Sequence, residues 1–171
     1  MSEDIKNTAI PAAGYVYRTR QGLRVLCDWL DAPTRYGRLK FECDDETEAP
    51  TGLDDIVVER SDDLVDLQQV KFTPNPDAYP LCWEWLLEKT GKTAKSRSML
   101  RKWFDAFRKL DPARIGEISL VTNRRPDADI EACLEAGKIS FAKVATPWRE
   151  KVIAELKTEQ DCDQFFSLLN I

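Results

Sequence analysis

Residues 53–72 read LDDIVVERSDDLVDLQQVKF, and this stretch decides the fold of the chain. Apolar residues fill the beginning of the stretch and return through its second half, which predicts two β-strands. The Ser-Asp-Asp triplet at 61–63 lies between them and favours a tight turn. The stretch therefore predicts a β-hairpin with strands at residues 54–60 and 64–72.

Polar side chains gather at one end of the predicted hairpin. Asp54 and Asp55 open its first strand. Gln69 and Lys71 end the second strand, and their side chains point to the same side because they are two residues apart. Antiparallel pairing brings both close to Asp55. Oxygen ligands beside a fixed cation predict a divalent-metal site suited to phosphodiester hydrolysis, and an ordinary solvated hairpin is the alternative.

The same residues, in their order along the chain, resemble a known nuclease superfamily. An Asp followed by Gln-x-Lys on adjacent strands is similar to the PD-(D/E)xK superfamily, in the QxK variant of Mrr-like restriction enzymes. The wider order resembles the DNA-endonuclease domain of bacterial antiphage effectors, namely CBASS-type endonucleases and nuclease-fused STAND NTPases. The resemblance covers most of the chain and rests on Gly14–Tyr17, Phe41-Glu42, Asp54–Ile56, Gln69–Lys71 and Val121–Arg124.

The resemblance implies an α/β fold with a restriction-endonuclease-like mixed β-sheet of about four or five strands, flanked by helices. It implies an endonuclease that hydrolyses double-stranded DNA with Mg²⁺ as cofactor and Mn²⁺ as an alternative. The implied catalytic residues are Asp55, Gln69 and Lys71. The implied metal ligands are Asp55 and Gln69, together with Glu42 and Asp54. Lys71 would orient or activate the attacking water and stabilise charge at phosphorus.

The resemblance also implies a place in a larger system. The family's nuclease is an N-terminal effector in antiphage defence, driven by a sensor domain that this chain does not contain, and it often acts as a homo-oligomer. A length of 171 residues suits a single nuclease domain. The apolar run directly before Ile171 predicts a domain that belongs to a longer protein.

Several assignments stay open at this point. Asp55 is preferred over Asp54 as the main ligand because it directly precedes the apolar strand, but the sequence does not exclude Asp54. Glu42 is either a second metal ligand or a strand-end residue in an acidic loop. Relatives often carry a Glu on the first helix, where this chain offers Arg18, Arg20 and Gln21. That departure, with Gln69 in place of an acid, supports a catalytically inactive nuclease-fold module that binds nucleic acid or a protein. Cleavage of RNA is the weakest alternative, since nothing resembles an RNA-recognition motif.

The composition excludes several classes of site. The chain has no histidine, which excludes His-metal sites and Ser-His-Asp triads. Its five cysteines lack CxxC spacing and predict reduced thiols in a cytoplasmic protein. No apolar run approaches the length of a membrane span, and the acidic, polar N-terminus does not resemble a signal peptide.

The charges are unevenly distributed, although the net charge is -5. Residues 42–66 carry eleven acids against one arginine, and residues 88–109 carry eight Lys or Arg against two acids. An acidic pole beside a basic arm is typical of a nuclease, whereas two solvated faces are the simpler interpretation. The predicted DNA-binding residues are Lys92, Lys95, Arg97, Arg101, Lys102, Arg124 and Arg125. The two last arginines follow a strand and either contact phosphate or cap a neighbouring helix.

Hydrophobic spacing predicts the remaining elements. Two further strands are expected at residues 38–43 and 116–122, with a short edge strand at 139–141. The first helix has apolar residues at helical spacing from Tyr15 to Leu30, and Arg18, Arg20 and Arg24 are placed on its more exposed side. The predicted helices span residues 12–31, 80–89, 96–110 and 127–136, a helix from residue 146, and a last one at 158–169.

Overall fold

The computed structural model describes residues 9–89, 91 and 96–171 of the chain, with side chains from residue 11 onward. Within them the α-helices are α1 (Ala9–Asp31), α2 (Trp83–Leu87), α3 (Met99–Phe107), α4 (Ala128–Glu131), α5 (Thr146–Leu156) and α6 (Glu159–Leu168). The strands are β1 (Tyr36–Phe41), β2 (Ile56–Arg60), β3 (Val65–Lys71), β4 (Ile115–Thr122), β5 (Leu134–Glu135), β6 (Lys138–Ile139) and β7 (Leu169–Asn170). Short 3-10 turns lie at Pro112–Arg114 and Phe141–Lys143.

The strands of the described residues form one mixed sheet in the order β1-β2-β3-β4-β7-β6-β5. β1, β2 and β3 pair antiparallel, β4 is parallel to both β3 and β7, and β6 is antiparallel to β7 and β5. This confirms the predicted α/β class with a mixed sheet flanked by helices. The sheet of the described residues has seven strands, more than predicted, because the two-residue strands β5 and β7 have no recognisable alternation. The strand predicted at 139–141 corresponds to β6 (Lys138–Ile139), but it lies between β7 and β5 and is not an edge strand.

The predicted hairpin is confirmed as β2–β3, with Val58 opposite Asp66. Its turn is closed by two backbone hydrogen bonds, from Arg60 N–H to the Leu64 carbonyl (2.8 Å) and from Asp63 N–H to the Arg60 carbonyl (3.2 Å). Asp63 has a φ of 65°, a conformation that Asp tolerates better than most residues. The Ser-Asp-Asp triplet therefore fixes the strand register.

Apolar side chains project from both faces of the sheet, so each face packs against helices. Alternate residues of β2 point to opposite faces: Val57 joins the large core under α2, α3, α5 and α6, while Ile56 and Val58 join Tyr17 and Val25 of α1 on the other side. The large core is rich in aromatic rings, and Phe165 lies 5.5–5.8 Å from the ring centroids of Phe104, Phe107 and Phe166.

The predicted helix at 127–136 is wrong over its second half. Asp127 does cap a helix, since its Oδ1 accepts a hydrogen bond from Ile130 N–H, but α4 ends at Glu131. Ala136 (φ 50°) and Gly137 (φ 81°) form the turn that joins β5 to β6, because left-handed residues break a helix.

Among the helices of the described residues, none combines the length and the apolar character that a membrane span requires.

Candidate active site

The hairpin brings Asp55 against Gln69. Backbone bonds from Glu42 N–H to the Asp55 carbonyl (3.0 Å) and from Cys43 N–H to the Asp54 carbonyl (2.8 Å) continue the β1–β2 pairing to these acids. Asp55 Oδ2 accepts hydrogen bonds from the Gln69 amide and from Val70 N–H, the latter at 2.7 Å. Asp55 is only 8% exposed and Gln69 only 3%. A carboxylate and an amide are thus held in contact at a buried position, where a polar pair is costly unless it is hydrogen-bonded.

Lys71 lies on the same side of β3 as Gln69 and is half-buried. Burial lowers the pKa of Lys71, and the negative charges of Asp55 and Asp54 oppose that change. Burial raises the pKa of Asp55, while the Val70 hydrogen bond and the positive charges of Lys71 and Arg18 act in the opposite direction. The acid and the lysine therefore share one electrostatic environment, and such desolvation occurs both at functional sites and in structural ion-pair networks.

Arg18 of α1 completes the cluster, and the sequence argument missed its role. Its Nη1 lies 3.0 Å from Asp55 Oδ1 and 2.8 Å from Glu42 Oε1. The expectation that Arg18 faces solvent is wrong, because its side chain is 32% exposed and turned toward the sheet. The residue that places this part of α1 near the site is the neighbouring Tyr17. Its ring centroid lies 5.5 Å from that of Phe72, the residue directly after Lys71.

The four predicted metal ligands do not all converge. Asp55 and Gln69 are in contact, and Glu42 joins them through the shared guanidinium of Arg18. Asp54 instead turns its Oδ1 to the backbone N–H of Gly52 (2.9 Å). The structure therefore brings Asp55, and not Asp54, against Gln69.

A divalent cation is compatible with this donor set. The side chains of Asp55, Gln69 and Glu42 each have oxygen atoms, which Mg²⁺ prefers, although the Gln69 amide turns its NH₂ group to Asp55. Two carboxylates already converge on one positively charged nitrogen of Arg18, so the position between them favours a cation. A metal there would compete with the guanidinium for the same oxygens.

Within the described residues, a different cluster of side chains has ligand atoms close enough together to hold a metal ion. Ligand atoms of Cys82, Glu84 and Asp127 all lie within 4.8 Å of one another. Burial raises the pKa of the Cys82 thiol, which keeps it in the protonated form that binds metals poorly. This cluster mixes sulfur with oxygen and is separate from the predicted Mg²⁺ ligands.

The predicted DNA-binding residues in α3 and just before it differ in how strongly they are held. Arg101 is half-buried, with its Nε 2.9 Å from Asp105 Oδ1 and its Nη1 donating to the Glu155 carbonyl. Lys102 is exposed. Burial is the main cause of the lowered pKa of Lys71, and the positive charge of Lys102 lowers it further. Arg97 also pairs with Asp105 (2.5 Å). Lys92 and Lys95 lie outside the described residues.

The two arginines after β4 also differ from each other. Arg124 stacks over the Trp85 ring (4.2 Å to the centroid) and donates to the Tyr79 carbonyl (2.9 Å). Arg125 is exposed and pairs with Asp77 at 3.0 Å. Arg124 thus stabilises the loop before α2, whereas Arg125 is on the surface. Asn123 accepts from Thr73 N–H (2.9 Å) and donates to the Thr73 carbonyl (2.7 Å), which joins the ends of β3 and β4 beside Lys71.

The arrangement as a whole offers a buried acid, an amide oxygen and a desolvated lysine at one end of a β-hairpin. No protein-family model matches this sequence, and no curated protein matches it at a significant level. The chemistry of the site must therefore be argued from its geometry and charges.

Proposed function

We propose that this chain is a metal-dependent endonuclease of double-stranded DNA with a restriction-endonuclease-like fold of the PD-(D/E)xK type. The observation that supports it is the contact of Asp55 with Gln69 on adjacent strands, beside the half-buried Lys71. Two of the three residues chosen from the sequence, Asp55 and Gln69, are in contact at a buried position, and the charge of Asp55 acts on the third, Lys71. An ordinary solvated hairpin gives no reason for desolvating an acid, an amide and a lysine together.

In this proposal Asp55 and Gln69 would hold Mg²⁺ or Mn²⁺, with Glu42 as a further ligand. The metal, when bound, would polarise a phosphodiester and lower the pKa of a water molecule. Lys71 supplies a positive charge next to the reacting phosphate, and its lowered pKa also lets it exchange a proton more readily than an exposed lysine. Val70 N–H fixes the orientation of the Asp55 carboxylate through its 2.7 Å hydrogen bond.

Nicking of supercoiled plasmid tests the proposal. We expect the wild type to nick in Mg²⁺ and not in EDTA. Asp55→Ala, Gln69→Ala and Lys71→Ala should each lose nearly all activity, since removal of one preorganised group typically costs on the order of 10²–10³ in rate. Lys143→Ala is a matched control, because Lys143 is an exposed lysine paired with Glu135 at 2.7 Å.

Melting curves run alongside separate a catalytic effect from unfolding. Full nicking by Lys71→Ala, in a preparation free of other nucleases, would contradict the assignment of Lys71. Nicking by the wild type that persists in EDTA would contradict the metal-dependent mechanism.

A second candidate function is a catalytically inactive module of the same fold that binds nucleic acid or a protein. The ion pairs of Arg18 with Asp55 and Glu42 favour it, since they neutralise the acids that a metal would need. Arg18→Ala distinguishes the two. A nuclease held back by Arg18 should bind metal more tightly when the guanidinium is removed, whereas an inactive module should bind DNA without cleaving it in either form.

The wider role proposed is that of an effector in antiphage defence, acting in the cytoplasm on double-stranded DNA. A sensor domain outside this chain would activate it, and the active form would be a homo-oligomer. These parts of the proposal are supported by the ordered resemblance of Gly14–Tyr17, Asp54–Ile56 and Gln69–Lys71 to antiphage nucleases.

A further inference from the structure

A cavity lies beside the hairpin, on the face of the sheet that carries the large core. Its volume is about 300 Å³, at the lower end of the range for small-molecule sites. Its floor consists of two rows of side chains that cross the strands, because residues two apart in a strand share a face. One row is Lys40, Val57 and Leu67, and the other is Arg38, Glu59 and Val65.

The segment between α3 and β4 forms a second wall of the cavity. Leu110 and Ile115 supply apolar side chains there, and Lys109 and Arg114 supply positive charges. Ile115 lies opposite Val65 in the β3–β4 pairing, so the wall meets the floor at that pair. Its apolar residues are buried or half-buried and its two cations are exposed. An apolar base with a few charged groups at the rim is the composition of a site for a small organic ligand.

The charges that belong to the floor of the cavity neutralise one another. Arg38 lies 2.9 Å from Glu48 and 2.8 Å from Glu59. Lys40 also donates to Glu48. Asp111, a third acid at the cavity, caps the 3-10 turn that follows it through a 3.0 Å backbone hydrogen bond. The acids around the cavity therefore already have partners.

Two cations at the rim stay available to a ligand. Lys109 pairs with Glu46 at 3.3 Å, but both side chains are more than half exposed, so this ion pair is weak. Arg114 is exposed, and its guanidinium forms no hydrogen bond or ion pair with any residue that the structure describes. An anionic group at the rim would gain a charge-assisted hydrogen bond there without breaking a strong one.

We propose that this cavity binds a small organic anion. The apolar body of the ligand lies over Val65 and Leu110, and its carboxylate, sulfonate or phosphate group contacts Arg114, with Lys109 beside it. An inorganic anion would leave the apolar floor uncovered, and a neutral ligand would leave the rim cations without a partner. The cavity is nearer the turn of the hairpin, whereas the candidate active site lies at the hairpin's open end, so the two sites are distinct.

Fluorescence titration with anilinonaphthalene sulfonate tests the proposal, because this dye is an aromatic anion whose emission reports binding to apolar surface. The wild type should bind it saturably. Phenylnaphthylamine has the same rings without the sulfonate, and it should bind about tenfold more weakly, since it lacks the charged contact with Arg114.

Variants locate the bound dye. Arg114→Ala should weaken binding of the sulfonate about tenfold, and Arg114→Lys, which keeps the positive charge, should weaken it less. Val65→Phe, which fills the cavity from its floor, should also weaken binding. Arg20→Ala and Leu30→Ser are matched controls, because both residues are exposed on α1 and outside the cavity; both should bind the dye as the wild type does. Melting curves confirm that each variant is folded.

Three results would overturn the proposal: no saturable binding by the wild type below about 1 mM, equal affinity for the two dyes, or wild-type affinity in Arg114→Ala. Loss of binding in Leu30→Ser would place the dye on α1 and would overturn it as well. These measurements use neither DNA nor metal, so their outcome is independent of the proposed nuclease activity.

Discussion

Asp66 provides a quantitative test of the electrostatics of the sheet. Its side chain is 15% exposed and pairs with Arg60 (Nε to Oδ2, 3.1 Å). It lies opposite Glu117 of the parallel strand β4. Its Oδ1 is buried and has no hydrogen-bond partner among the described residues. Burial, reinforced by the negative charge of Glu117 and opposed by Arg60, raises the pKa of Asp66 to about 6.

The perturbation is Asp66→Asn, which removes the titration while keeping the shape of the side chain. The carboxyl has a pKa of 3.8 in the unfolded chain and about 6 in the folded one, so the folded state binds the proton more tightly. The stabilisation by this group is therefore complete below about pH 4 and is lost as the pH rises through 6. A pKa difference of this size corresponds to roughly 3 kcal/mol. At pH 8 the variant should exceed the wild type in unfolding free energy by about that amount, and at pH 4 the two should be similar.

Urea unfolding at a series of pH values between 4 and 8 measures the difference. For a chain of this length about 3 kcal/mol corresponds to roughly 6–12 °C in melting temperature. Asp44→Asn, an exposed acid in the loop after β1, is the control and should follow the wild type at every pH. Parallel pH profiles for wild type and Asp66→Asn, or a variant less stable than wild type at pH 8, would refute the reasoning, because the Arg60 pair would then outweigh the burial of the charge.

Three further predictions concern the site, the helix and the DNA surface. Gln69→Glu should tighten Mg²⁺ binding in calorimetry and lower the melting temperature in EDTA, since a second buried acid beside Asp55 repels it until a cation binds; unchanged affinity would exclude Gln69 as a ligand. Gly14→Ala, with open space around its Cβ, should raise the unfolding free energy by about 1 kcal/mol through helix propensity, whereas Gly22→Ala should gain less in the same urea titration, because its Cβ would overlap the Phe41 ring and the ring, 49% exposed, would have to move. Lys102→Glu should weaken DNA binding equally for all sequences and make it less sensitive to salt in fluorescence anisotropy; an unchanged salt slope would place the DNA elsewhere.

The hairpin was predictable because its evidence is local. Alternation, turn residues and the spacing of Gln69 and Lys71 all lie within 53–72, and each constrains the same register. β7 was not predictable, because its two residues follow α6 directly and pair with the distant strand β4, which no local pattern indicates. The same reason explains the missed role of Arg18, which reaches Asp55 across 37 residues of sequence.

The apolar pattern of α1 predicts the helix correctly but does not show which side of the helix faces the sheet. The apolar spacing predicted the helix, but it was consistent with either side facing the sheet. The residues that decide the orientation are small or aromatic: Gly22 allows close approach to Phe41, and Tyr17 packs on Phe72. Leu23 and Leu30 are more hydrophobic than Gly22 and Tyr17. Hydrophobicity alone would therefore place the wrong side of α1 against the sheet.

The charges at the hairpin end suggest how the proposed site would be controlled. Asp55, Glu42 and Asp54 carry the negative charges at the hairpin end, and Arg18 and Lys71 carry positive ones, so the acids already have cations beside them without a metal. A buried acid is costly unless its oxygens are paired, and Asp55 accepts hydrogen bonds from the Gln69 amide, Val70 N–H and the Arg18 guanidinium. In the proposed function a divalent cation would compete with Arg18 for these oxygens, and DNA phosphates would assist by offering the guanidinium a new anionic partner. Metal and DNA would then bind cooperatively, each more tightly in the presence of the other, which would keep the site inactive until a substrate arrives.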